Sequence, residues 1–344
     1  MLDGKAILIT GGTGSFGRLY VQTILKNYNP HRVVVFSRDE TKQFEMQQQE
    51  EFQSPVMRFL VGDVRDYDRL RQALRGIDYV IHTAAIKQVA TAEYNPMECI
   101  KTNILGAANV INAAIDNEVE KVIALSTDKA AYPNNLYGAT KLASDKLFVA
   151  ANNMAGGHRT RFAVSRYGNV VGSRGSVVPY FKKLLADGVQ ELPVTHPAMT
   201  RFWSTLQDGV HFVLKNFRRM KGGEIFVPKL PSMRIIDLCE SLAPGMSVKV
   251  IGIRPGEKLH EVMCPGDDSH LTLEFEDHFV IRPSINFVET MNYCVNNIGE
   301  TGIPVEQGFE YNSRDNSRFL SVEELRALND GITSKDARLV LGIK

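Results

Sequence analysis

Through the first half of the chain, short β-branched runs alternate with longer stretches whose apolar residues recur at helical spacing. Ala6–Ile9, Arg32–Phe36, Arg58–Val61, Tyr79–Thr83 and Lys121–Leu125 read as strands, and Gly17–Lys26, Asp66–Arg75 and Asn95–Asn117 between them read as helices. A helix over Tyr137–Met154 and a strand over Phe162–Arg166 continue the pattern until it breaks near Gly168. Near-continuous apolar strands separated by helices predict an α/β fold, a parallel sheet covered on both faces.

Beyond Gly168 the chain mixes turns with short elements at Val178–Ala186, Gln207–Met220, Ile235–Leu242 and Lys249–Ile253. Ser321 and Glu324 carry a capping-box signature that starts a last helix. The expected division is a first domain of residues 1–170 with about 204–228, and a smaller α/β domain of 171–203 with 229–344. No low-complexity linker separates them, so the boundary is expected to be a packed cleft.

Composition narrows the class of partner. The 344 residues carry 40 Lys+Arg against 39 Asp+Glu with no basic block, which argues against nucleic acid. No stretch approaches the roughly 20 apolar residues that span a bilayer, and the first residues lack a signal peptide's layout, so a cytoplasmic protein without membrane partners is expected. Cys99, Cys239, Cys264 and Cys294 are scattered, which predicts reduced, mostly buried thiols and no metal site.

Directly after the first strand, Gly11, Gly14 and Gly17 stand at G-x-x-G-x-x-G spacing in Thr10–Gly17. Glycines there let the backbone turn tightly and bring a pyrophosphate to a helix N-terminus, as in a Rossmann-type doubly wound sheet. Outside that strand and helix context the run would be a plain turn. At the end of the second strand, Ser37 and Arg38 can hold a ribose 2′-phosphate, whereas Asp39 would grip a free hydroxyl; the expected cofactor is NADP. Asp63 and Val64 fall where adenine would lie, with Asp63 alternatively the N-cap of the next helix. Ala84 and Ala85 are small enough for close passage of the cofactor.

After the fifth strand come Ser126-Thr-Asp-Lys-Ala130 and Tyr137-Gly-Ala-Thr-Lys141. The Y-x-x-x-K spacing places Tyr137 and Lys141 one helical turn apart on one face. An ammonium beside a phenol, assisted by an oxidised nicotinamide, is expected to lower the phenol's pKa so that Tyr137 can act as a base toward a sugar hydroxyl. The Thr127 hydroxyl is the third member of this group.

Here the sequence resembles the extended short-chain dehydrogenase/reductase superfamily over nearly its whole length. Within it, the chain is similar to the inverting UDP-N-acetylglucosamine 4,6-dehydratases of the pseudaminic acid pathway. The resemblance rests on Ile9–Gly17, Phe36–Glu40, Met46–Gln49, Gly62–Arg65, Ala92–Ile104, Ala124–Ala130, Leu136–Lys141, Arg166–Pro179, Met199–Trp203, Gly222–Pro228 and Ile251–Met263. It implies that Tyr137, with Thr127 and Lys141, removes the C4 hydroxyl proton during oxidation, and that the same hydride returns to C6. Asp128 is implied as the acid at O6 and Lys129 as the base at C5, where retaining relatives carry Asp-Glu. A lysine base must be neutral when it acts, which requires desolvation or a cationic neighbour.

The cofactor set implied by the resemblance adds Thr13, Ser15, Phe16, Lys42, Lys87 and Thr102. Around UDP-N-acetylglucosamine it implies Lys87, Asn169, Arg174, Ser176, Val177, Val178 and Thr195, with Arg201 and Arg254 at the diphosphate and Glu257 at the uridine ribose. Surface ion pairs are the alternative for both arginines. Tyr132 and His196 stand where asparagine and an acid are expected, and Thr83 replaces an alanine, which leaves only substrate grip open. A homo-oligomer, as in hexameric relatives, is also implied. Competing functions are a UDP-sugar 4-epimerase, a retaining dehydratase and a catalytically silent NADP-sensing protein.

Overall fold

The computed structural model describes residues 1–156, 159–171, 176–285 and 291–331. The first half folds as β1 (Ala6–Thr10), α1 (Ser15–Asn27), β2 (Arg32–Ser37), α2 (Glu40–Gln47), β3 (Met57–Val61), α3 (Tyr67–Ala73), β4 (Tyr79–His82), α4 (Val89–Tyr94), α5 (Pro96–Ile100), α6 (Gly106–Asp116), β5 (Lys121–Leu125), α7 (Leu136–Met154) and β6 (Arg161–Ser165). There follow β7 (Asn169–Val170), α8 (Val177–Ala186), β8 (Glu191–Val194), β9 (Thr200–Ser204), α9 (Leu206–Arg219), β10 (Ile225–Pro228), β11 (Ser232–Arg234), α10 (Ile235–Leu242) and β12 (Ser247–Val250). The last elements are β13 (Val262–Cys264), β14 (Thr272–Glu274), β15 (His278–Ile281), β16 (Ile303–Pro304), β17 (Tyr311–Asn312) and α11 (Val322–Gly331).

Among the described residues, ten strands form one sheet in the order β16-β14-β15-β10-β6-β5-β4-β1-β2-β3. From β10 to β3 all neighbours are parallel, and β15, β14 and β16 add antiparallel strands beyond β10. The strands read as continuous apolar runs because both faces are covered. Ala6 and Leu8 of β1 pack with Val34 and Phe36 on one face, while Ile7 and Ile9 pack with Val33 and Val35 on the other. The fold class is the doubly wound α/β sheet expected from the alternation, and the strand order 3-2-1-4-5-6 puts the crevice at the carboxyl ends of the strands.

A smaller lobe is built from the β7-β9-β11 sheet, the β8-β12 pair and α8, α10 and α11 around Val178, Phe181, Leu192, Trp203, Met233 and Leu238. Residues 272–281 and 303–304, grouped by sequence with that lobe, hydrogen-bond onto the large sheet instead. The Ser321 and Glu324 box caps α11 reciprocally, with bonds of 2.9 and 3.2 Å. Cys99, Cys239 and Cys264 are buried and all four cysteines are free. No helix of the described residues is long and apolar enough to cross a membrane.

Three local expectations change. Asn95–Asn117 is not one α-helix: α5 and α6 are joined through a π-turn over Lys101–Leu105. The π-turn adds a residue to the helical ladder, a device common near functional sites. The short element expected at Lys249–Ile253 is a strand that lies earlier, at Ser247–Val250. Helix α2 has too little apolar periodicity to be visible, since only Gln43 and Met46 are buried; Asp39 starts it by accepting the Lys42 N–H at 3.0 Å.

The antiparallel strands are tied to α9 through Arg219, which is fully buried. It donates to both Asp277 oxygens at 2.6 and 2.8 Å and to Glu300 at 2.7 Å, with Lys215 bonding both acids. Partial burial pushes the Glu300 carboxyl up, but Arg219, Asn296 and Lys215 outweigh it and hold the group at about 2. A carboxyl at 4.5 when unfolded and about 2 when folded adds stability above 4.5 that is lost as pH falls toward 2. Glu300→Gln is therefore expected to melt lower than wild type at neutral pH and to lose less melting temperature between about pH 5 and about pH 3. Parallel melting curves across that range would show that the ion pair contributes nothing.

Candidate active site

A cleft of about 1800 Å³ runs from the carboxyl ends of the parallel strands to the small lobe. At its cofactor end, β1 turns at Gly11 (φ +64°) and α1 starts at Ser15 with no side chain capping its first turn. The first N–H groups of α1 are thus free for an anion. A Cβ on Gly17 would lie 2.5–2.7 Å from the Gly12 backbone, so only glycine lets α1 pack this tightly on the loop. Gly11, Thr13, Gly14, Ser15, Phe16 and Gly17 all line the cleft.

Ser37, Arg38, Asp39, Lys42, Val64, Ala84, Ala85, Lys87 and Thr102 line the same end. Asp39 is committed to capping α2 and to a close ion pair with Lys42. Arg38 stays 54% exposed, its charge met only by Asp63 at 3.7 Å among the described residues. Asp63 itself does not line the cleft, because Arg65 takes its carboxylate at 2.7 Å. The alternative of Asp63 as N-cap does not hold either: Asp66 caps α3, accepting the Arg69 N–H at 2.9 Å.

At the centre, Thr127 ends the chain out of β5 and Asp128–Ala130 forms a single 3-10 turn against α7. Asn135 caps α7 by accepting the Gly138 N–H at 2.8 Å, which sets Tyr137 in the first turn. A Cβ on Gly138 would meet the Lys129 carbonyl oxygen at 2.2 Å, so this glycine permits the contact between the two catalytic segments. Asp128 is 1% exposed; its Oδ1 accepts from Thr127 at 2.9 Å and from Lys129 Nζ at 3.1 Å.

Tyr137 lines the cleft, whereas Lys141 is buried behind it at 4% exposure. The expected lowering of the phenol is not found in the protein alone. Burial dominates, Tyr167 adds to it and only the Thr127 contact opposes, so the Tyr137 phenol stands well above its ordinary value. Burial also lowers Lys141, and Asp145 one turn further along partly restores it. One lysine, itself lowered by burial, does not offset desolvation of the phenol.

Lys129 also departs from expectation. Its Nζ lies 3.1 Å from Asp128 and 3.1 Å from Glu261. Burial pushes the ammonium down, but the two carboxylates outweigh burial and the nearby Arg201, so it is held above its ordinary value.

In the small lobe, Asn169, Ser176, Val177, Thr195, Arg201, Arg254 and Glu257 line the cleft. Val178 instead packs in the lobe's core at 1% exposure, and Arg174 lies outside the described residues. Glu257 pairs closely with Arg254 and accepts from Thr195 at 3.2 Å, and Arg254 remains 66% exposed at the rim. Arg201 donates to the carbonyls of Thr200, Leu259 and Lys258 at 2.7, 3.1 and 2.9 Å, so most of its donors are already engaged. Among the described residues, six buried polar atoms of the cleft lining have no hydrogen-bond partner: Thr102 Oγ1, Asp128 Oδ2, Asn169 Oδ1, Ser176 Oγ, Trp203 Nε1 and Glu261 Oε2. Buried polar atoms are rarely left unpaired, and their concentration here marks a site built for a polar ligand.

The model of the family described as polysaccharide biosynthesis protein matches residues 7–283. The chain belongs to that family. It is an extended short-chain dehydrogenase/reductase. It is 62% identical over 326 residues to the UDP-N-acetylglucosamine 4,6-dehydratase (inverting) of Campylobacter jejuni subsp. jejuni, covering 94% of this chain and 97% of the relative. It is 39% identical over 335 residues to the UDP-glucose 4-epimerase of Rickettsia canadensis, covering 95% and 96%. Among solved structures, the X-ray structure of Pen from Bacillus thuringiensis matches with a TM-score of 0.85 at 38% identity, over 96% of this chain and 98% of that one.

Several site residues of this dehydrogenase/reductase carry no sequence signal by themselves. Asn103, in the π-turn, bonds the Ile86 N–H and carbonyl at 2.8 and 3.0 Å and so fixes the Ala84–Lys87 wall. Asn135 donates to the Gly256 carbonyl at 2.8 Å, joining the start of α7 to the 254–257 loop. Tyr167, Trp203 and Glu261 also face the cleft. Tyr132 adopts φ +45°, a conformation asparagine tolerates better than tyrosine, which gives a physical reason for the asparagine expected there.

Proposed function

We propose that this protein is an NADP-dependent UDP-N-acetylglucosamine 4,6-dehydratase that inverts C5, giving UDP-2-acetamido-2,6-dideoxy-β-L-arabino-hex-4-ulose, the first step of pseudaminic acid biosynthesis. The observation that carries this reading is the pair of buried Asp128 and half-buried Lys129 set beside Tyr137 at the centre of the cleft, in a chain 62% identical to an enzyme of that name. Dehydration needs an acid and a base at C6 and C5 in addition to the tyrosine that serves C4.

The glycine cradle and the uncapped start of α1 fit a dinucleotide pyrophosphate, and exposed Arg38 beside a committed Asp39 favours a 2′-phosphate over a free hydroxyl. A nicotinamide held there by the glycine loop and the start of α1 would supply reversible hydride transfer, out of C4 and back at C6. Tyr137 takes the C4 hydroxyl proton; because burial holds its phenol high, it relies on Thr127, Lys141 and the positive ring of the cofactor together. A C4 ketone acidifies the C5 proton; the Lys129 proton passes across its 3.1 Å bond to Asp128, the freed amine takes the C5 proton, and Asp128 delivers the transferred proton to the departing C6 oxygen. Asn169, Ser176 and Thr195 bind the sugar and nucleotide, and Arg254 with the remaining N–H of Arg201 meets the diphosphate. A homo-oligomer acting in the cytoplasm completes the reading.

A 4-epimerase is the second reading, favoured by the 39% identical relative of that name, and it would use Tyr137 and Lys141 alone. Turnover of UDP-N-acetylglucosamine in deuterated water separates the two. The expected product has lost the 6-hydroxyl and carries deuterium at an inverted C5 by NMR. Deuterium at C5 with its configuration kept would overturn inversion, and a product keeping its 6-hydroxyl with C4 inverted would establish the epimerase.

A further inference from the structure

Glu261 is the one acid of the cleft floor to which neither the sequence motif nor the proposed chemistry gives a task. It is 2% exposed, just ahead of β13, and its backbone is pinned on both sides: its N–H donates to Ser313 Oγ at 2.9 Å and its carbonyl accepts the Ser313 N–H at 2.8 Å. Its side chain is thereby aimed at three cations, Lys129 at 3.1 Å, Arg201 at 3.7 Å and Lys258 at 3.9 Å. Oε2 has no hydrogen-bond partner. A carboxylate taken this far from water persists only where cations compensate it.

We infer that Glu261 is the positioning residue of the C5 base: it holds Lys129 Nζ against Asp128 and supplies the negative charge that faces the ammonium formed when the C5 proton is taken. The inference rests on the dehydratase reading for the reaction, but the positioning itself does not. Around Lys129 stand Asp128 on its own turn, Glu261 and Lys258 from the segment before β13, and Arg201 from β9, while the Tyr137 and Tyr167 phenols share the field of Asp128. With Glu261 neutral, Asp128 alone would face three cations, and Lys129 would be both less oriented and less basic.

Glu261→Gln keeps the shape and removes the charge. Competitive acetylation with mass spectrometry of the peptide bearing Lys129 reads that lysine's titration without any turnover. The expected result is titration at a pH lower by about one unit in the variant, the size of a tenfold change in proton affinity. An unchanged titration would overturn the inference. In single turnovers with UDP-N-acetylglucosamine, the reduced-nicotinamide absorbance from C4 oxidation should rise at the wild-type rate, while water loss slows at least tenfold and its pH profile moves in the same direction as the titration. Glu261→Asp should recover part of the loss. Equal slowing of both steps together with a lower melting temperature would instead show a merely structural residue. If wild type releases no water from this substrate, the dehydratase reading fails, and the acetylation result still decides what Glu261 does to Lys129.

Discussion

Lys129→Ala is expected to abolish water loss from UDP-N-acetylglucosamine, lowering turnover by about 10²–10⁴-fold, the range for removing a general base. Oxidation at C4 should survive, because Tyr137, Thr127 and Lys141 are untouched. The variant should therefore accumulate reduced cofactor, seen as nicotinamide absorbance in a single turnover, with no 4-keto-6-deoxy product in the NMR spectrum. The substitution also leaves Asp128 and Glu261 facing the same space without the ammonium that lies 3.1 Å from each. Raising the pH is therefore not expected to restore activity, since no amine remains to be freed. Near-normal water loss in this variant would remove Lys129 from the role of base.

Tyr137→Phe fails one step earlier. In the proposed reaction the Tyr137 phenol oxygen takes the C4 hydroxyl proton, and its loss is expected to slow turnover by about 10²–10⁴-fold with neither reduced cofactor nor dehydrated product appearing. Nucleotide-sugar affinity, measured by calorimetry, should change little, because the proposed binding residues Asn169, Ser176, Thr195 and Arg254 are unchanged. Reduced cofactor at the wild-type rate in this variant would give C4 oxidation to another base. Equal, negligible turnover in wild type and variant would instead support the silent sensing protein. Together the two substitutions divide the reaction at the ketone.

The sheet was legible because its chemistry is local. A strand covered on both faces must be apolar at every position, and β1, β2, β4 and β5 announce themselves that way. Helix α2 was hidden because it lies on the surface with two buried residues, and in the sequence alone Asp39 is as compatible with a ribose contact as with the cap it forms. The π-turn at Lys101–Leu105 was hidden because one added residue leaves an apolar stripe that still looks helical.

The site divides in the same way. The glycine loop, Asp128-Lys129 and Tyr137-x-x-x-Lys141 are contiguous and could be read as motifs. Glu261 could not, since it meets Lys129 only through the packing of β13 against the Asp128–Ala130 turn, and an isolated acid has no spacing to betray it. The charge states were also out of reach. A motif shows which groups are adjacent, whereas the direction in which Tyr137 and Lys129 shift depends on how much water the fold removes from around them.

Trp203, the only tryptophan in the chain, closes the floor of the cleft with its indole N–H unpaired. The protein thus contains a single indole, which can be excited selectively at the red edge of the tyrosine absorption, and it sits at the site itself. Its emission comes from one environment, free of the averaging that blurs signals from several indoles. Occupancy of the sugar end and formation of a reduced nicotinamide, which absorbs where indole emits, can both be followed optically on the unlabelled protein. The same signal registers loss of the small lobe's core, in which the ring is packed.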